Sequence, residues 1–391
     1  MKKIVVFGTG QKAEDWITLY LKDVFNAVEI IGYVDNDEKK WNTEFLGKKV
    51  YSPEEIKRLE YDNVIICLKD EFYSEVYKQL ILELHIPIEK VGNVYWLVNQ
   101  QKNQRLENKI QTGMPKVYDC FIFYNELELL ELRLEVLNPV VDYFVLVEMK
   151  KTVNGLDKPL YFAENRDRYK EYAEKIIYIC PDDIPLFKGG NREELGYKLD
   201  QPQLEFMRDC IIRGLEGCEP EDIILYSDLD EFPKPEKIDM LKTGFGKLRT
   251  NAYAILLDTM ALQFEQEYFC YSFNCKQKIK WYGTYAVKYK NLTSIACLRE
   301  VITEMPYITD GGWHFSYFGG TQRVKNKLIT CNDGVDVKIE KIEERIKNRK
   351  DIMGRNYDGA DKMDYVDDIS TIGIPNLEIF VNKYPYLCQD R

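Results

Sequence analysis

The sequence predicts an α/β protein whose N-terminal part carries a small parallel, doubly wound sheet. Three observations predict it. Short apolar runs of strand length alternate with longer amphipathic runs from the N-terminus to the Val91–Leu97 segment. A glycine turn, Gly8-Thr9-Gly10, follows the first run and opens a helix. A second series of strand-like and helix-like runs begins at Lys116, after a polar stretch with no hydrophobic pattern. The chain has 391 residues, and domains hold roughly 100–200, so two or three domains are expected.

The first domain spans residues 1–98. Lys3–Phe7 reads as a strand, Gln11–Phe25 as an amphipathic helix and Val28–Val34 as a second strand. Asn63–Leu68 is a third strand, Phe72–Leu84 a second long helix and Val91–Leu97 a further strand. Residues 99–115 are polar and unpatterned, a linker or an exposed helix. The second domain spans residues 116–391. It opens with a strand at Val117–Tyr124, a leucine-rich helix at Glu126–Leu137 and a strand at Tyr143–Glu148. Gln203–Leu215 is an amphipathic helix, and Ile223–Tyr226 is a short apolar strand. Ala252–Asp258 and Ala286–Tyr289 read as later strands, and residues 338–350 as a charged helix.

Composition narrows the function classes. Hydrophobic residues make up 45%, enough for a sizeable core. A formal net charge of −11 argues against a general nucleic-acid or anionic-membrane surface, while leaving room for a local basic pocket. Any membrane association would be indirect, at the inner face and through a lipid-linked substrate or a partner. The N-terminal apolar run is too short for a signal peptide, and no transmembrane segment of roughly 20 apolar residues is present. The ten cysteines are scattered and only two histidines exist, which disfavours a structural zinc site and a disulfide scaffold; a cytoplasmic location fits.

Gly8-Thr9-Gly10-Gln11-Lys12-Ala13 fits the G-x-G-x-x-G/A dinucleotide fingerprint in its strand-to-helix context. Gly8 allows the tight turn, Gly10 lets backbone approach a pyrophosphate, and Ala13 allows close helix packing. Asp35, at the end of the second strand, stands where an acidic residue accepts a ribose hydroxyl, so NAD(P) is one expectation for this domain. The other is a Rossmann-like accessory or regulatory module that uses the turn for structure alone. The module resembles those fused to bacterial sugar-modifying enzymes, through Tyr33-Val34-Asp35-Asn36-Asp37 and Ser52-Pro53-Glu54-Glu55.

Residues 221–235 are the most informative stretch. The apolar run Ile223–Tyr226 ends abruptly in Asp228, Asp230 and Glu231, and Pro233 and Pro235 stop its continuation. If strand geometry persists, Asp228 and Asp230 point to one side and can hold Mg²⁺ or Mn²⁺ together with substrate phosphates. The same run also reads as a solvated acidic loop.

Four ordered blocks carry a family likeness. Tyr118–Leu134 resembles the opening of glycosyltransferase family 17, which includes the β-1,4-mannosyl-glycoprotein 4-β-N-acetylglucosaminyltransferases. Phe144–Glu148 is followed by Thr152, Gly155, Lys158 and Pro159; Tyr226–Pro233 resembles the family's acidic metal motif; and Gly311–Gly320 resembles its Gly-Trp-His-x-Ser segment. The likeness covers roughly residues 116–390. It implies a GT-A-like fold and an inverting transfer from a UDP-sugar, first of all UDP-N-acetylglucosamine, to a carbohydrate or lipid-linked glycan acceptor.

In that setting Asp230 is expected to be the direct metal ligand, with Asp228 on the ribose or on a metal-bound water. His314, between glycines, is expected in an irregular loop, ligating the metal or donating to the diphosphate. Trp313 packs under a sugar or in the core. The general base is expected to be Asp310, with Glu304 second. Glu205 and Arg208 share a helix face as an ion pair, or Arg208 meets the diphosphate. Glu148, at the end of a strand, is expected to contact the nucleotide or mark a helix approach, and Lys158 to meet phosphate, both mainly by the family pattern. Competing readings are a sugar nucleotidyltransferase, a binding module with an inactive transferase domain, and an NAD(P)-dependent sugar-nucleotide oxidoreductase or epimerase led by the first domain. The nucleotidyltransferase lacks its glycine-rich loop at Phe123–Glu126, and the oxidoreductase lacks a catalytic Tyr-x-x-x-Lys in register.

Overall fold

The structure is a computed structural model. It describes residues 2–14, 17, 28–68, 70–93, 97, 106, 109, 111–152, 156–182, 201–243, 252–300, 305–330, 341–352, 354–355 and 362–389. The chain divides into two compact units, Met1–Asn108 and Lys109–Arg391. Both are mixed α/β structures built on sheets rich in parallel pairs, as the hydrophobic pattern predicts.

The first unit holds a six-stranded sheet in the order β3-β4-β2-β1-β5-β6. Its strands are β1 (Lys2–Phe7), β2 (Val28–Val34), β3 (Glu44–Phe45), β4 (Lys48–Tyr51), β5 (Asn63–Ile66) and β6 (Val91–Gly92). All pairs are parallel except β3 with β4. Ile4 through Phe7 and Val64 through Ile66 are buried, as expected of strands covered on both faces. The second helix runs over Asp70–Lys78 (α1) and ends in a π-turn at Gln79–Glu83. The expected Val91–Leu97 strand is only Val91–Gly92, and most of the expected Gln11–Phe25 helix lies outside the described residues.

The second unit holds a nine-stranded sheet in the order β11-β14-β12-β13-β10-β7-β8-β9, with β15 beside β13. The strands are β7 (Val117–Phe123), β8 (Tyr143–Glu148), β9 (Ile176–Ile179), β10 (Ile223–Tyr226), β11 (Glu231–Pro233), β12 (Leu262–Cys270), β13 (Cys275–Lys288), β14 (Tyr307–Ser316) and β15 (Asp364–Tyr365). β7 leads into α2 (Leu127–Leu137), which is buried on nearly all sides because leucines recur around its whole circumference. Glu148, at the end of β8, caps a short helix α3 (Tyr161–Glu164). α4 (Gln201–Asp209) passes into a 3₁₀ turn at Cys210–Leu215 and precedes β10.

One expected strand is a helix. Ala252–Leu257 forms α5, with Ala254 and Leu257 buried three apart and Ile255 turned outward. A short apolar run of this length fits either period, and its alanines tip it to the helix. Asp209 accepts hydrogen bonds from Ser294 Oγ and from the first amides of α6 (Ile295–Glu300), tying α4 to α6. α7 (Thr321–Thr330) follows β14, and the expected charged helix at 338–350 is α8 (Ile342–Lys347). The last helix is α9 (Leu377–Lys383).

Candidate functional site

The parallel block of the large sheet runs β10-β7-β8-β9 in space but β7-β8-β9-β10 along the chain. The order reverses between β7 and β10, and a crevice opens beyond the carboxyl ends of strands at such a switch point. Tyr124 and Glu126, just past β7, and Asp228 through Asp230, just past β10, line one cleft of about 690 Å³ there. Its far wall comes from Tyr268 on β12, Trp281 on β13 and His314 on β14.

The Asp-containing segment does not continue as a strand. β10 stops at Tyr226, and residues 229–230 form a turn before β11. Asp228 and Asp230 therefore meet different partners, which corrects the expectation that both project from one strand face. Asp228, 42% exposed at its side chain, accepts from Arg299 Nη2 at 2.9 Å. Burial works against its charge, but Arg299, Arg208 and Lys327 outweigh it and hold its pKa at about 2. Asp230 is buried, 3.1 Å from Lys327 Nζ and 3.7 Å from His314 Nε2. Glu231 is fully buried and accepts from both Nη atoms of Arg299 and from Trp281 Nε1.

His314 sits inside β14, not in the expected irregular loop. It pairs with Glu231 of β11 and Tyr268 of β12. The expected close backbone approach is real: a Cβ on Gly312 would stand 2.0 Å from the Phe232 carbonyl oxygen, so only glycine lets β11 lie this close. The imidazole stacks on Tyr268 at 4.8 Å and leans on Trp281 at 4.5 Å. Burial pushes its pKa below the ordinary value against the pull of Asp230 and Glu231, so it is neutral at pH 7. Its Nδ1 is buried with no hydrogen-bond partner among the described residues.

Arg208 is buried and lines the cleft, and its Nε likewise lacks a partner among the described residues. Burial opposes its charge, and Tyr226 and Asp228 more than compensate. It thus faces the acidic segment from α4, while Glu205 is not part of the cleft lining. Lys158 is also in the lining, 3.4 Å from the Tyr124 carbonyl, and burial pulls its pKa down. Glu148 is not on the cleft wall. It accepts from Phe162 N, Ala163 N and Tyr178 Oη and holds the start of α3, a structural role.

The expected general base is displaced. Asp310 is exposed, lies outside the cleft lining and accepts from Lys234 Nζ at 2.6 Å, a bond that lowers its pKa. A paired, well-solvated carboxylate away from the cleft has no route to an acceptor hydroxyl there. Glu304 and Gly155 lie outside the described residues. Trp313 packs in the core and donates to the Ile372 carbonyl.

Several cleft residues escaped the sequence reading, among them Arg299, Lys327 and Trp281. None sits in a motif. The only signal was the need of two carboxylates at a strand mouth for cationic neighbours, which gives the residue type but not the position.

The donor set fits a hard divalent cation only in an open form. Among the described residues no three His, Cys, Asp or Glu side chains form a metal-ready group. Asp228 and Asp230 supply two carboxylates, and Mg²⁺ or Mn²⁺ held by one or two carboxylates takes its remaining ligands from phosphate and water.

In the first unit, Gly8 has φ +113°, and a Cβ there would stand 2.6 Å from the Cys67 carbonyl oxygen, so the turn demands glycine. Gly10 faces open space. Asp35, however, accepts from Thr9 N at 3.0 Å, from Thr9 Oγ1, from Asp37 N at 2.9 Å and from Lys40 Nζ at 3.0 Å. Its carboxylate is committed to its own turn and does not fit the ribose-binding role that NAD(P) would require.

Fold and cleft together define an α/β protein with a mixed acidic and basic cleft at a sheet switch point. A family model described as glycosyltransferase family 17 matches residues 96–353, and the chain belongs to that family. A second model, described as C2185-like, N-terminal, matches residues 1–91. The β-1,4-mannosyl-glycoprotein 4-β-N-acetylglucosaminyltransferase of Rattus norvegicus is 28% identical over 139 residues, 35% of this chain and 25% of the relative. That of Homo sapiens is 29% identical over the same shares. The match thus spans a quarter of those proteins' length. A solved structure of UDP-D-quinovosamine 4-dehydrogenase from Vibrio fischeri is 24% identical, over 26% of this chain and 85% of that one; its TM-score of 0.20 is too low to bear on the fold.

Proposed function

We propose that this protein is an inverting glycosyltransferase that moves a sugar, N-acetylglucosamine first of all, from a UDP-sugar to a glycan or lipid-linked acceptor. One observation carries the reading. A chain with net charge −11 places six cations in this cleft: Lys151, Lys158, Arg208, Arg299, Lys327 and Arg355. Four carboxylates, Glu126, Asp228, Asp230 and Glu231, stand among them. Cations interleaved with a pair of carboxylates in one cleft suit a diphosphate leaving group and its metal ion. The family membership and the names of the relatives support the same reading.

In this reading the second unit is a GT-A-like transferase domain, the first a Rossmann-like accessory module, and the setting cytoplasmic. Asp230 and Asp228 would hold Mg²⁺ or Mn²⁺, which supplies charge neutralisation at the diphosphate. The chain's own contribution is electrostatic. Arg208 lines the cleft beside Asp228, where its guanidinium can meet a diphosphate oxygen. Arg299 keeps Asp228 ionised, and its hydrogen bonds fix Asp228 and Glu231 in place. Neutral His314, packed against the Tyr268 and Trp281 rings, lines the cleft beside Asp230, where the metal or the diphosphate would sit.

Release of nucleoside diphosphate from a panel of nucleotide sugars with Mn²⁺ or Mg²⁺ tests the proposal. The expected result is metal-dependent release from one UDP-sugar, reduced at least 100-fold in Asp230→Ala, the scale of losing a transition-state charge contact. Absence of release from every donor, with no thermal shift by UDP plus metal, would overturn it.

A further inference from the structure

We propose that Arg133 is a positioning residue: it fixes the backbone of residues 227–231 in the conformation that presents Asp228 and Asp230 to the cleft. The kinetic part of this inference rests on the transferase reading; the structural part does not.

Arg133 lies on α2 among leucines, and none of its side chain reaches solvent. A buried guanidinium is tolerated only when its donors are matched. Nε and Nη2 donate to the two oxygens of Asp119, at 2.8 and 2.7 Å, in a bidentate pair. Nη2 also donates to Ser227 Oγ at 2.6 Å. Nη1 reaches three carbonyl oxygens of the acidic segment: Asp228 at 3.2 Å, Leu229 at 3.0 Å and Glu231 at 2.8 Å. The rings of Phe121 and Phe232 stand 4.8 and 5.5 Å from the guanidinium carbon, close enough for cation–π attraction.

The segment wraps around this one group. Three carbonyl oxygens aimed at a common point repel one another unless a cation sits there. With the carbonyls turned in toward Arg133, the carboxylates of Asp228 and Asp230 are left on the cleft side. Asp119 neutralises the arginine without competing for the Nη1 protons. The segment has other ties: Phe315 N to the Asp230 carbonyl at 2.7 Å, Thr284 Oγ1 to the Glu231 carbonyl at 3.2 Å, Ser227 N to the Cys120 carbonyl at 3.2 Å, Glu231 N to the Asp228 carbonyl at 3.0 Å, Asp228 N to Glu231 Oε2 at 3.0 Å, and the side-chain bonds to Arg299, Lys327 and Trp281; none of them gathers three carbonyls at one point. A lysine in the same place keeps the charge but not the planar fork, so it can serve Asp119 or the carbonyls and not both.

The test compares the full chain with Arg133→Lys. Amide hydrogen exchange of the segment 223–235 and the kcat and KM for release of UDP from UDP-N-acetylglucosamine with Mn²⁺ are measured on both. The expected result is faster exchange confined to that segment and a kcat lowered more than about 10-fold, the scale of a small misplacement of reacting groups. A lowered Tm with kcat and KM intact would mark a merely structural role and overturn the inference, as would unchanged exchange. If Arg133→Lys does not fold, Ser227→Ala takes its place. It is expected to quicken exchange at 227–231 and lower kcat about 10-fold, the scale of one hydrogen bond from a charged donor. No change in either would overturn the inference. If the wild type cleaves no nucleotide sugar, the transferase reading fails on its own, and exchange in the segment alone decides the role of Arg133.

Discussion

Arg208 shows at the level of one side chain how the cleft trades stability for chemistry. Its buried Nε has no hydrogen-bond partner among the described residues, an unmet donor that costs stability even though Tyr226 and Asp228 favour the charge. Nothing in packing requires an arginine there, since a methionine of similar length would fill the same space on α4. Arg208→Met is therefore expected to leave Tm unchanged or raise it by a few degrees, while weakening UDP binding at least about 10-fold, the scale of a lost charged hydrogen bond. Thermal unfolding beside UDP titration in the presence of Mn²⁺ checks both. A lower Tm with unchanged binding would show that Arg208 serves the fold. Sequence reading could place this residue on a helix face and offer two roles; its burial in the cleft lining was not legible. His314 was legible in the same partial way. Its glycine neighbours announced a close backbone approach, but the glycines serve strand packing against Phe232 and not a loop.

At the level of elements, the leucine-rich α2 was plain in the sequence, while the latch that fastens it to the C-terminal helix was not. Glu131 on α2 accepts from Arg168 Nε at 2.8 Å, from Tyr384 Oη at 2.9 Å and from Lys383 at the end of α9. Partners 37, 253 and 252 positions away leave no local signature. Burial works against the charge of Glu131, but these bonds prevail and lower its pKa. A carboxyl whose pKa is lower in the folded than in the unfolded state adds stability above its unfolded value of about 4.3. That contribution is lost as pH falls through the folded value. Glu131→Gln is thus expected to be about 1–2 kcal/mol less stable than wild type at pH 7, with the gap closing below about pH 4. Urea midpoints from pH 3 to pH 7 measure it; a gap independent of pH would mean that hydrogen bonding alone, without the charge, holds the latch. Elements also failed in the reading where packing overrides period. The alanine-bearing run at 252–257 is a helix, and β12 and β14 went unnoticed because Glu, Gln and Gly interrupt their apolar pattern.

At the level of the whole molecule, the alternation of strand and helix made the α/β class legible, and the reversal of strand order that creates the cleft was not. That reversal depends on β10 returning to the far side of β7, a pairing between residues more than a hundred positions apart. Every residue assigned to the cleft belongs to Lys109–Arg391, whereas the glycine turn of Met1–Asn108 closes on its own Asp35. The two units should therefore answer differently to ligand. A ligand at 100 times its Kd stabilises the fold it binds by about 2.7 kcal/mol and leaves an uncoupled unit unchanged. UDP with Mn²⁺ is expected to slow amide exchange in 117–123, 223–233 and 307–316 and to leave 2–7, 28–34 and 63–66 at their original rates. NADH, offered at millimolar concentration, is expected to slow neither set, because the carboxylate that would take its ribose is already bonded to Thr9 and Lys40. Protection of the first set of strands by UDP supports the cleft as the nucleotide site. Protection of 2–7 and 28–34 by NADH would show that the Asp35 turn opens for a dinucleotide, and would return the first unit to the chemistry of the molecule.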